Sequence, residues 1–449
     1  MKIYAPWQKK FEKLSTPFDE FLNAQMTTGI ILIVMTILAL VLANSALSEA
    51  YAHFFHTKID FSIGDWKLSH SIHHWINDAL MAIFFFLIGL EIKREVSVGE
   101  LSDIKVAILP ILAAIGGMIF PALIYYSINA GGEGASGWGI PMATDIAFAI
   151  SALVLLGKRV PPALVTFLVA LAIVDDLGAV LVIALFYTEQ IQMVPLAWAG
   201  VTVAGMVMMN RFGIHNNIPY FIGGVILWMF MLQSGVHATI AGVIAALTIP
   251  AIPKKDPSHL RSELKVLLDE FDTHPIKEDY MMNDRQKSIL TEVKEKIAHV
   301  ETPAARLEHS LHLPVSLIII PLFALANAGI ALDFSTMGTT IIEPVSLGIV
   351  SGLIVGKVLG IFGVAWLAIK LGIASLPQNS TMNQIFGVAF LGGIGFTMSI
   401  FVADLAFVNS PELVFQAKVG ILAASLFAGV FGYMWLRFVA KSQKVAIHD

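Results

Sequence analysis

Residues 168–186 read LVALAIVDDLGAVLVIALF, an apolar run with two adjacent aspartates, Asp175 and Asp176, near its centre. A helix of about 20 apolar residues crosses the ~30 Å hydrocarbon core of a lipid bilayer. A charged side chain in the middle of such a helix costs at least ~2.5–3.5 kcal/mol on insertion scales, so membrane proteins keep it there for a partner or a function. The run therefore predicts a transmembrane helix that places ionisable groups in the membrane interior.

Similar apolar runs recur along nearly the whole chain of 449 residues. Hydrophobic residues make up 57% of the chain and charged residues only 14%, against about 25% in soluble proteins. The sequence thus predicts an all-α polytopic membrane protein, with residues 1–449 forming a single integral domain in the lipid bilayer. We expect about twelve spans, at 27–44, 76–96, 104–129, 137–156, 161–187, 195–212, 217–234, 236–252, 312–331, 345–369, 384–408 and 412–438.

The composition also excludes several classes of function. The chain has no cysteine, which excludes disulfide bonds, thiolate metal sites and cysteine nucleophiles. Its net charge of −5 is small and mixed in sign, so we expect no nucleic-acid partner. We also expect no catalytic residues and no cofactor, and hence a protein that is not an enzyme.

Basic residues in the loops predict the orientation, because they are enriched on the cytoplasmic side. An even number of spans places both termini on the same side. With a cytoplasmic N-terminus, the outer segments hold only Lys58 and Lys67. We therefore expect both termini in the cytoplasm. The inner segments then hold the basic residues of 254–310 together with Lys2, Lys9, Lys10, Lys13, Lys93, Arg94, Lys105, Lys158, Arg159, Arg211, Lys370, Arg437, Lys441 and Lys444.

Two polar segments interrupt the pattern of spans. Residues 58–69 alternate apolar and polar side chains around Gly64 and Asp65, which predicts a small β-hairpin in the first outer loop. Residues 254–310 are charged and contain two helical runs, LRSELKVLLDEF and RQKSILTEVKEKIAHV. We interpret this segment as an extended cytoplasmic loop between spans 8 and 9, with a regulatory or partner-binding module as the alternative.

Four ionisable side chains lie near span centres, and we expect them to form one site because they share a depth. They are Asp145, Asp175, Asp176 and Lys357. Adjacent residues of a helix point roughly 100° apart, so Asp175 and Asp176 can share a cavity but not one partner. One aspartate then pairs with Lys357 and the other is left for an ion. The spacing alone does not say which.

Breaks in two spans also favour an ion site. Pro141 precedes Thr144 in the fourth span, and the glycines of residues 392–395 interrupt the eleventh. Broken spans expose backbone carbonyls and helix ends inside the membrane, which is tolerated where they line a cavity. The tenth span has glycines at every fourth position that either serve such a site or allow close helix packing, namely Gly352, Gly356 and Gly360.

Several long motifs extend over nearly the whole chain: NDALMAIFFFLIGLEIKRE (77–95), ATDIAFA (143–149), ALAIVDDLGAV (170–180), SGVHATIAG (234–242), RLEHSLH (306–312), PLFALANAG (321–329), VGKVLGIF (355–362) and FLGGIGFTMSIF (390–401). Together they resemble the NhaA family of bacterial Na⁺/H⁺ antiporters. The resemblance implies an inverted-repeat topology with two discontinuous helices that cross, as described for transporters of this family. It also implies a multi-pass protein of the bacterial inner membrane.

The resemblance assigns roles to the buried charges. It implies that Asp176 and Asp175 lie at the transported Na⁺, with Asp176 as the principal ligand and Asp175 as the partner of Lys357. Thr144 and Asp145 would lie where the fourth span unwinds and crosses the eleventh. Asp145 would there offset the positive ends of the facing half-helices.

The resemblance further implies a pH-sensing cluster of Glu91, Arg94 and Glu95 at the cytoplasmic end of the second span, with His237 as another residue linked to the pH response. Without the resemblance, we would interpret these charges as side chains that snorkel at a helix end, and His237 as a capping residue. The family also implies a homodimer formed through the 58–69 hairpin. The long 254–310 loop departs from many relatives, which puts in question how far their pH regulation transfers.

A carboxylate in the membrane interior can bind either a proton or a dehydrated Na⁺ or Li⁺, and this competition would couple the two fluxes. If two acids release their protons for one Na⁺, net charge moves, so we expect Na⁺ extrusion from the cytoplasm by pH-regulated, electrogenic exchange. An antiporter selective for K⁺ or for several cations is the alternative. An intramembrane aspartyl protease would need a GxGD element, which Asp145, Asp175 and Asp176 all lack. A passive channel would need a continuous hydrated pore.

Overall fold

The computed structural model describes residues 17–63, 66–188, 191–253, 258, 260–273, 282–331 and 337–439. Some residues on which the sequence predictions rest lie outside these ranges. They are the turn at Gly64 and Asp65, residues 254–257, 259 and 274–281 of the predicted cytoplasmic loop, and the basic residues Lys2, Lys9, Lys10, Lys13, Lys441 and Lys444.

Helices dominate the described chain, and two short strands join them. In chain order the elements are α1 (Pro17–Ala43), α2 (Ser48–His56), β1 (Lys58–Ile63), β2 (Trp66–Ser71), α3 (Ile72–Ser97), α4 (Ile104–Asn129), α5 (Ile146–Val154), α6 (Pro162–Phe186), α7 (Met193–Arg211), α8 (Asn217–Ser234), α9 (Ile240–Thr248), α10 (Leu260–Asp272), α11 (Asp284–Val300), α12 (Pro303–Asn327), α13 (Pro344–Lys370), α14 (Met382–Leu391), α15 (Phe396–Ala406) and α16 (Pro411–Val439). Single helical turns lie at Glu100–Ser102, Gly157–Arg159 and Met337–Thr340.

Within the described residues, ten helical segments are long and apolar enough to cross a membrane, and the bent pair of α14 and α15 makes an eleventh. The all-α polytopic fold class is thereby confirmed. The predicted span at 236–252 differs in detail. Gly235 adopts the left-handed conformation that ends α8, and only the nine residues of α9 are helical thereafter. Nine residues give a helix of about 14 Å, which is too short to cross a bilayer.

The surfaces of the long helices carry large apolar side chains. Val34, Ile37 and Val41 on α1 are each more than half exposed, and Leu185 on α6 and Phe438 on α16 are about three-quarters exposed. Soluble proteins rarely expose large contiguous apolar patches. These surfaces are therefore typical of helices that span a membrane.

Contacts divide the chain into two compact units. The first contains Met1–Met81, Glu95–Thr188 and Pro314–Asp449, and the second contains Ala82–Arg94 and Glu189–Leu313. Helices α3 and α12 each contribute residues to both units. All the predicted ion-site residues belong to the first unit.

In the first unit, α4 and α13 pack with their backbones in close contact. A Cβ atom on Gly360 would lie 2.2 Å from the carbonyl oxygen of Gly116, and one on Gly356 would lie 2.6 Å from the Cα of Pro121. A Cβ atom on Gly352 would lie 2.7 Å from the Pro141 Cβ of the fourth span and 3.3 Å from the Pro121 carbonyl oxygen of α4. Small residues allow helices to approach this closely in membranes. The three glycines of the tenth predicted span therefore form a packing seam.

The two predicted polar segments contain regular structure. β1 and β2 pair antiparallel, with Lys58 opposite Ser71, which confirms the hairpin in the first loop. The two helical runs predicted in 254–310 form α10 and α11. These helices are joined by an Arg285–Glu270 ion pair of 2.5 Å and a Lys296–Glu263 ion pair of 2.8 Å.

Candidate ion-binding site

The fourth span is broken immediately before α5. Residues Glu133–Met142 form a 3₁₀ segment that contains Pro141, and residues 143–145 are not helical. Proline lacks the N–H that a helix needs and disfavours helical geometry in the residue before it. Helix α5 then starts anew at Ile146, and the carboxylate of Asp145 caps it by accepting a hydrogen bond of 3.0 Å from the Phe148 N–H.

The eleventh span is broken at its glycines. α14 ends at Leu391, α15 begins at Phe396, and the two helices are bent by 46°. The first N–H of α15, that of Phe396, donates to the hydroxyl of Ser425 on α16 at 3.1 Å. The side chain of a neighbouring helix thus satisfies a backbone group that the break leaves without a helical partner.

Hydrogen bonds in both directions join the two breaks. The Thr144 hydroxyl donates to the Gly392 carbonyl at 2.8 Å, and the Asp145 N–H donates to the Ile394 carbonyl at 2.6 Å. In the opposite direction, the Thr397 N–H donates to the Asp145 carboxylate at 3.0 Å. The broken segments of the fourth and eleventh spans therefore cross in direct contact, as the family resemblance implies for two discontinuous helices.

Asp145 lies at the N-terminal ends of two half-helices at once. One carboxylate oxygen accepts from the Phe148 N–H of α5, and the other accepts from the N–H and the hydroxyl of Thr397 in α15. Helix N-termini carry a partial positive charge from their free N–H groups. The side chain is only 2% exposed, so this carboxylate offsets both positive ends away from water.

The buried ion pair forms between Lys357 of α13 and Asp175 of α6. The Lys357 Nζ lies 2.7 Å from Asp175 Oδ2, and both side chains are fully buried. The same ammonium donates to the Thr144 hydroxyl at 2.9 Å and to the Met142 carbonyl. Lys357 thus joins α13 and α6 to the break of the fourth span.

Asp176 follows Asp175 on α6 and is 1% exposed. Its charge also acts on the ammonium of Lys357, so the three groups form one electrostatic cluster. The structure therefore brings together all five residues predicted for the ion site. Removing one partner from such a buried pair leaves an uncompensated charge, at a cost of about 3–5 kcal/mol.

The helix around Lys357 is wider than an α-helix. Segments Gly352–Gly356 and Val358–Gly363 are π-helical and flank the lysine on both sides. Such wide turns are rare in proteins, and many of those that occur lie at functional sites. These turns were not predicted from the sequence, although the glycines of this span are visible in it.

The predicted pH-sensing residues are distributed over both units. In the second unit, Arg94 Nε lies 3.0 Å from Glu308 Oε1. Glu91 is half-buried on the same turns of α3. In the first unit, Glu95 is 7% exposed and lines a cavity of about 400 Å³ together with Asp103.

His237 lies away from Arg94 within the second unit. It belongs to the turn between α8 and α9, where its carbonyl accepts from the Ile240 N–H at 3.1 Å. Lys93, next to Arg94, instead donates to the Leu247 carbonyl at 2.8 Å, at the opposite end of α9. A nine-residue helix therefore separates His237 from the end of α3.

Three contacting groups were not predicted from the sequence. Thr397 and the Met142 carbonyl carry no charge, so no search for buried charges could find them. Glu308 is charged and lies in the RLEHSLH motif, close to the start of an apolar run. A charged residue so close to a membrane span could have indicated Glu308 as a candidate.

Comparison with known proteins agrees with this architecture. The family described as Na⁺/H⁺ antiporter 1 matches residues 19–436 of the chain. The Na⁺/H⁺ antiporter NhaA of Sulfurimonas denitrificans is 66% identical, over 98% of this chain and 100% of that protein. NhaA of Dichelobacter nodosus is 46% identical over 98% and 95%, and NhaA of Wolinella succinogenes is 46% identical over 94% and 93%. The chain therefore belongs to the NhaA family of Na⁺/H⁺ antiporters, which are membrane transporters and not enzymes.

Proposed function

We propose that this antiporter couples its two fluxes by competition between H⁺ and Na⁺ for the carboxylate of Asp176. The supporting observation is the buried cluster of Asp175, Asp176 and Lys357, which lies beside the crossing of two broken helices. Carboxylate, hydroxyl and carbonyl oxygens are the ligands that hard cations such as Na⁺ and Li⁺ prefer. Thr144 and the main-chain carbonyls of the breaks supply further oxygens next to the carboxylates.

The Asp175–Lys357 pair has a separate role in this proposal. When Asp176 releases its proton, the charge of Lys357 is already close by and moderates the negative charge of the cluster. Asp145 accepts backbone N–H bonds on both oxygens, as an ionised carboxylate does. We therefore assign the second proton to the Asp175–Lys357 pair and not to Asp145.

Two protons exchanged for one Na⁺ would move net charge, so transport would be electrogenic and driven by the membrane potential. The direction would be Na⁺ extrusion from the cytoplasm across the bacterial inner membrane, with both chain termini in the cytoplasm. The loop distribution of lysine and arginine supports this orientation. The residues at 254–310 would then form a cytoplasmic loop.

We further propose that the cytoplasmic end of α3 regulates transport with pH. The Arg94–Glu308 pair and the buried Glu95 bring titratable groups to that end of the helix. Dimerisation through the β1–β2 hairpin completes the proposal. A two-stranded hairpin gains stability when its exposed edges pair with another chain.

The ion-site assignment is tested by Asp176→Asn in everted membrane vesicles. Because asparagine cannot bind a proton in exchange for Na⁺, we expect Na⁺-dependent and Li⁺-dependent proton movement to be lost at every pH, as followed by dequenching of a pH-sensitive dye. Asp284→Asn is the matched control, since Asp284 is fully exposed on α11. Retained exchange in Asp176→Asn would refute the assignment. A K⁺ response as large as the Na⁺ response in the unmodified protein would favour mixed selectivity.

A further inference from the structure

A second cluster of polar side chains lies where four elements end or begin, and the ion site does not use it. His73 and Asn77 lie in the first turns of α3, Asn327 is the last residue of α12, and Asp404 lies in the last turn of α15. Lys418 lies near the start of α16. These five residues, the outer cluster, lie on the side of the membrane where β2 enters α3, which is the outer side in the proposed orientation.

The hydrogen bonds of Asn327 define which nitrogen of His73 titrates. The Asn327 Nδ2 donates to the main-chain carbonyl of Phe323 at 3.0 Å, which fixes the orientation of the amide. Its Oδ1 is therefore an acceptor, and His73 Nε2, 2.9 Å away, must carry a hydrogen. Asn77 donates to the same oxygen. His73 can thus gain or lose a proton only at Nδ1.

Asp404 and Lys418 form an ion pair beside this histidine. The Lys418 Nζ lies 3.1 Å from Asp404 Oδ1, with side chains 12% and 15% exposed. Asp404 Oδ2 is buried, and no described residue donates a hydrogen bond to it. The charges of Asp404, Lys418 and His56 on α2 all act on His73. On its own helix, the neighbouring His74 is paired with Asp78 at 3.1 Å.

One helix connects the outer cluster to the ion site. Thr397, which binds the Asp145 carboxylate, lies in the first turn of α15, and Asp404 lies seven residues later on the same helix. At a rise of about 1.5 Å per residue the two positions are roughly 10 Å apart along the axis. A change of charge at the outer cluster is therefore within electrostatic range of the ion site.

We propose that the outer cluster is a second proton-binding site, centred on Nδ1 of His73, through which the pH of the outer solution controls Na⁺ binding from that side. With His73 neutral, the charges of Asp404 and Lys418 cancel. Protonation of His73 gives the cluster a net positive charge, which opposes the approach of a cation. The Asp404 Oδ2 atom, which accepts no hydrogen bond from a described residue, lies in the same cluster and stabilises the protonated histidine. The antiporter thereby binds outer Na⁺ weakly in acidic surroundings. The inference rests on the proposed ion site and orientation.

The test measures the KM for outer Na⁺ in right-side-out vesicles, with the internal pH fixed and the outer pH varied from about 5.5 to about 8.5, the range in which histidine titrates. In the unmodified protein we expect the KM to fall as the outer pH rises, for two reasons. The first is that His73 loses its positive charge, and the second is that fewer protons compete with Na⁺ at Asp176. His73→Gln removes the first cause, so its KM at acid pH should be about threefold to tenfold lower than that of the unmodified protein. At alkaline pH the two should agree.

His53→Gln is the matched control, because His53 is exposed on α2 and is not among the charges that act on His73. It should follow the unmodified protein. Asp404→Asn leaves the Lys418 charge uncompensated and should raise the KM at every outer pH. The proposal is overturned if His73→Gln retains the unmodified pH profile, or if Asp404→Asn leaves the KM unchanged.

Everted vesicles separate this inference from the proposals on which it rests. If the His73→Gln effect appears there instead, the proton-binding site stands and the proposed orientation is reversed. If Asp176→Asn transports normally while His73→Gln shows the expected KM change, the assignment of Asp176 to the ion site is refuted. The proposal that the outer cluster binds a proton is then still supported.

Discussion

At the scale of single residues, the cost of charge in a membrane made the buried cluster of charges predictable. Asp145, Asp175, Asp176 and Lys357 were identified because each lies at mid-span, where hydrocarbon tolerates a charge only with compensation. Sequence spacing could not assign the partner of Lys357, since adjacent aspartates lie at the same depth. The fold makes the choice, because α6 turns Asp175 toward the lysine at 2.7 Å.

Uncharged side chains that bind a buried charge cannot be found by this reasoning, and Thr397 is the clearest example. Its hydroxyl and N–H both bind the Asp145 carboxylate. Thr397→Val keeps the shape and the N–H bond but removes the hydroxyl. A hydrogen bond to a charged group contributes about 1.5–3 kcal/mol, so we expect a destabilisation of that order in thermal unfolding of the purified protein. Thr397→Ser retains the hydroxyl and should unfold close to the unmodified protein. Equal unfolding of the two variants would contradict the role of this bond.

At the scale of elements, the sequence predicted where helices run better than where they stop. Alternation of apolar and polar residues predicted the hairpin, and charged helical runs predicted the loop helices. Proline and glycine predicted the two broken spans. The 236–252 span was overestimated, because hydropathy continues through Gly235 and His237 while the backbone does not. The π-helical turns around Lys357 were not predicted, because glycines at every fourth position also fit an ordinary α-helix that packs closely on its neighbour.

The seam between α4 and α13 can be tested at one glycine. At Gly360 an added Cβ would lie 2.2 Å from the Gly116 carbonyl, whereas at Gly363 on the same helix it would meet nothing within 4 Å. We therefore expect Gly360→Ala to lower stability by about 1–3 kcal/mol through overpacking. Gly363→Ala should be neutral or slightly stabilising, because alanine favours a helix. Thermal unfolding of both variants in detergent measures the difference, and similar losses would refute close packing at the seam.

At the scale of the whole molecule, the proposed regulation by pH depends on charges at the end of α3 that is proposed to be cytoplasmic. Glu308→Gln removes the partner of Arg94 and one negative charge from that cluster. The remaining groups should then release protons at lower pH, so the pH of half-maximal transport should fall. Because Arg94 is half exposed, the pair contributes only about 0.2–1 kcal/mol, and the shift should stay below about one pH unit. Glu301→Gln, an exposed change nearby in sequence, is the control. A profile unchanged by Glu308→Gln would exclude this pair from pH sensing.

In the proposed mechanism, charge balance in the membrane interior governs the whole transport cycle. Three carboxylates and one ammonium occupy a site from which water is largely excluded, so each Na⁺ that binds must displace positive charge already present. This requirement would turn two ion fluxes into one coupled exchange. It also explains why the acids, the lysine and the two helix breaks converge on one place.

Proton release on Na⁺ binding tests this competition most directly. Purified protein would be titrated with Na⁺ at fixed pH, by calorimetry in buffers of different ionisation enthalpy, so that protons released are counted per Na⁺ bound. By linkage, competition predicts about two protons released per Na⁺, and no release with Asp176→Asn. Na⁺ binding to the unmodified protein without release of protons would contradict the account.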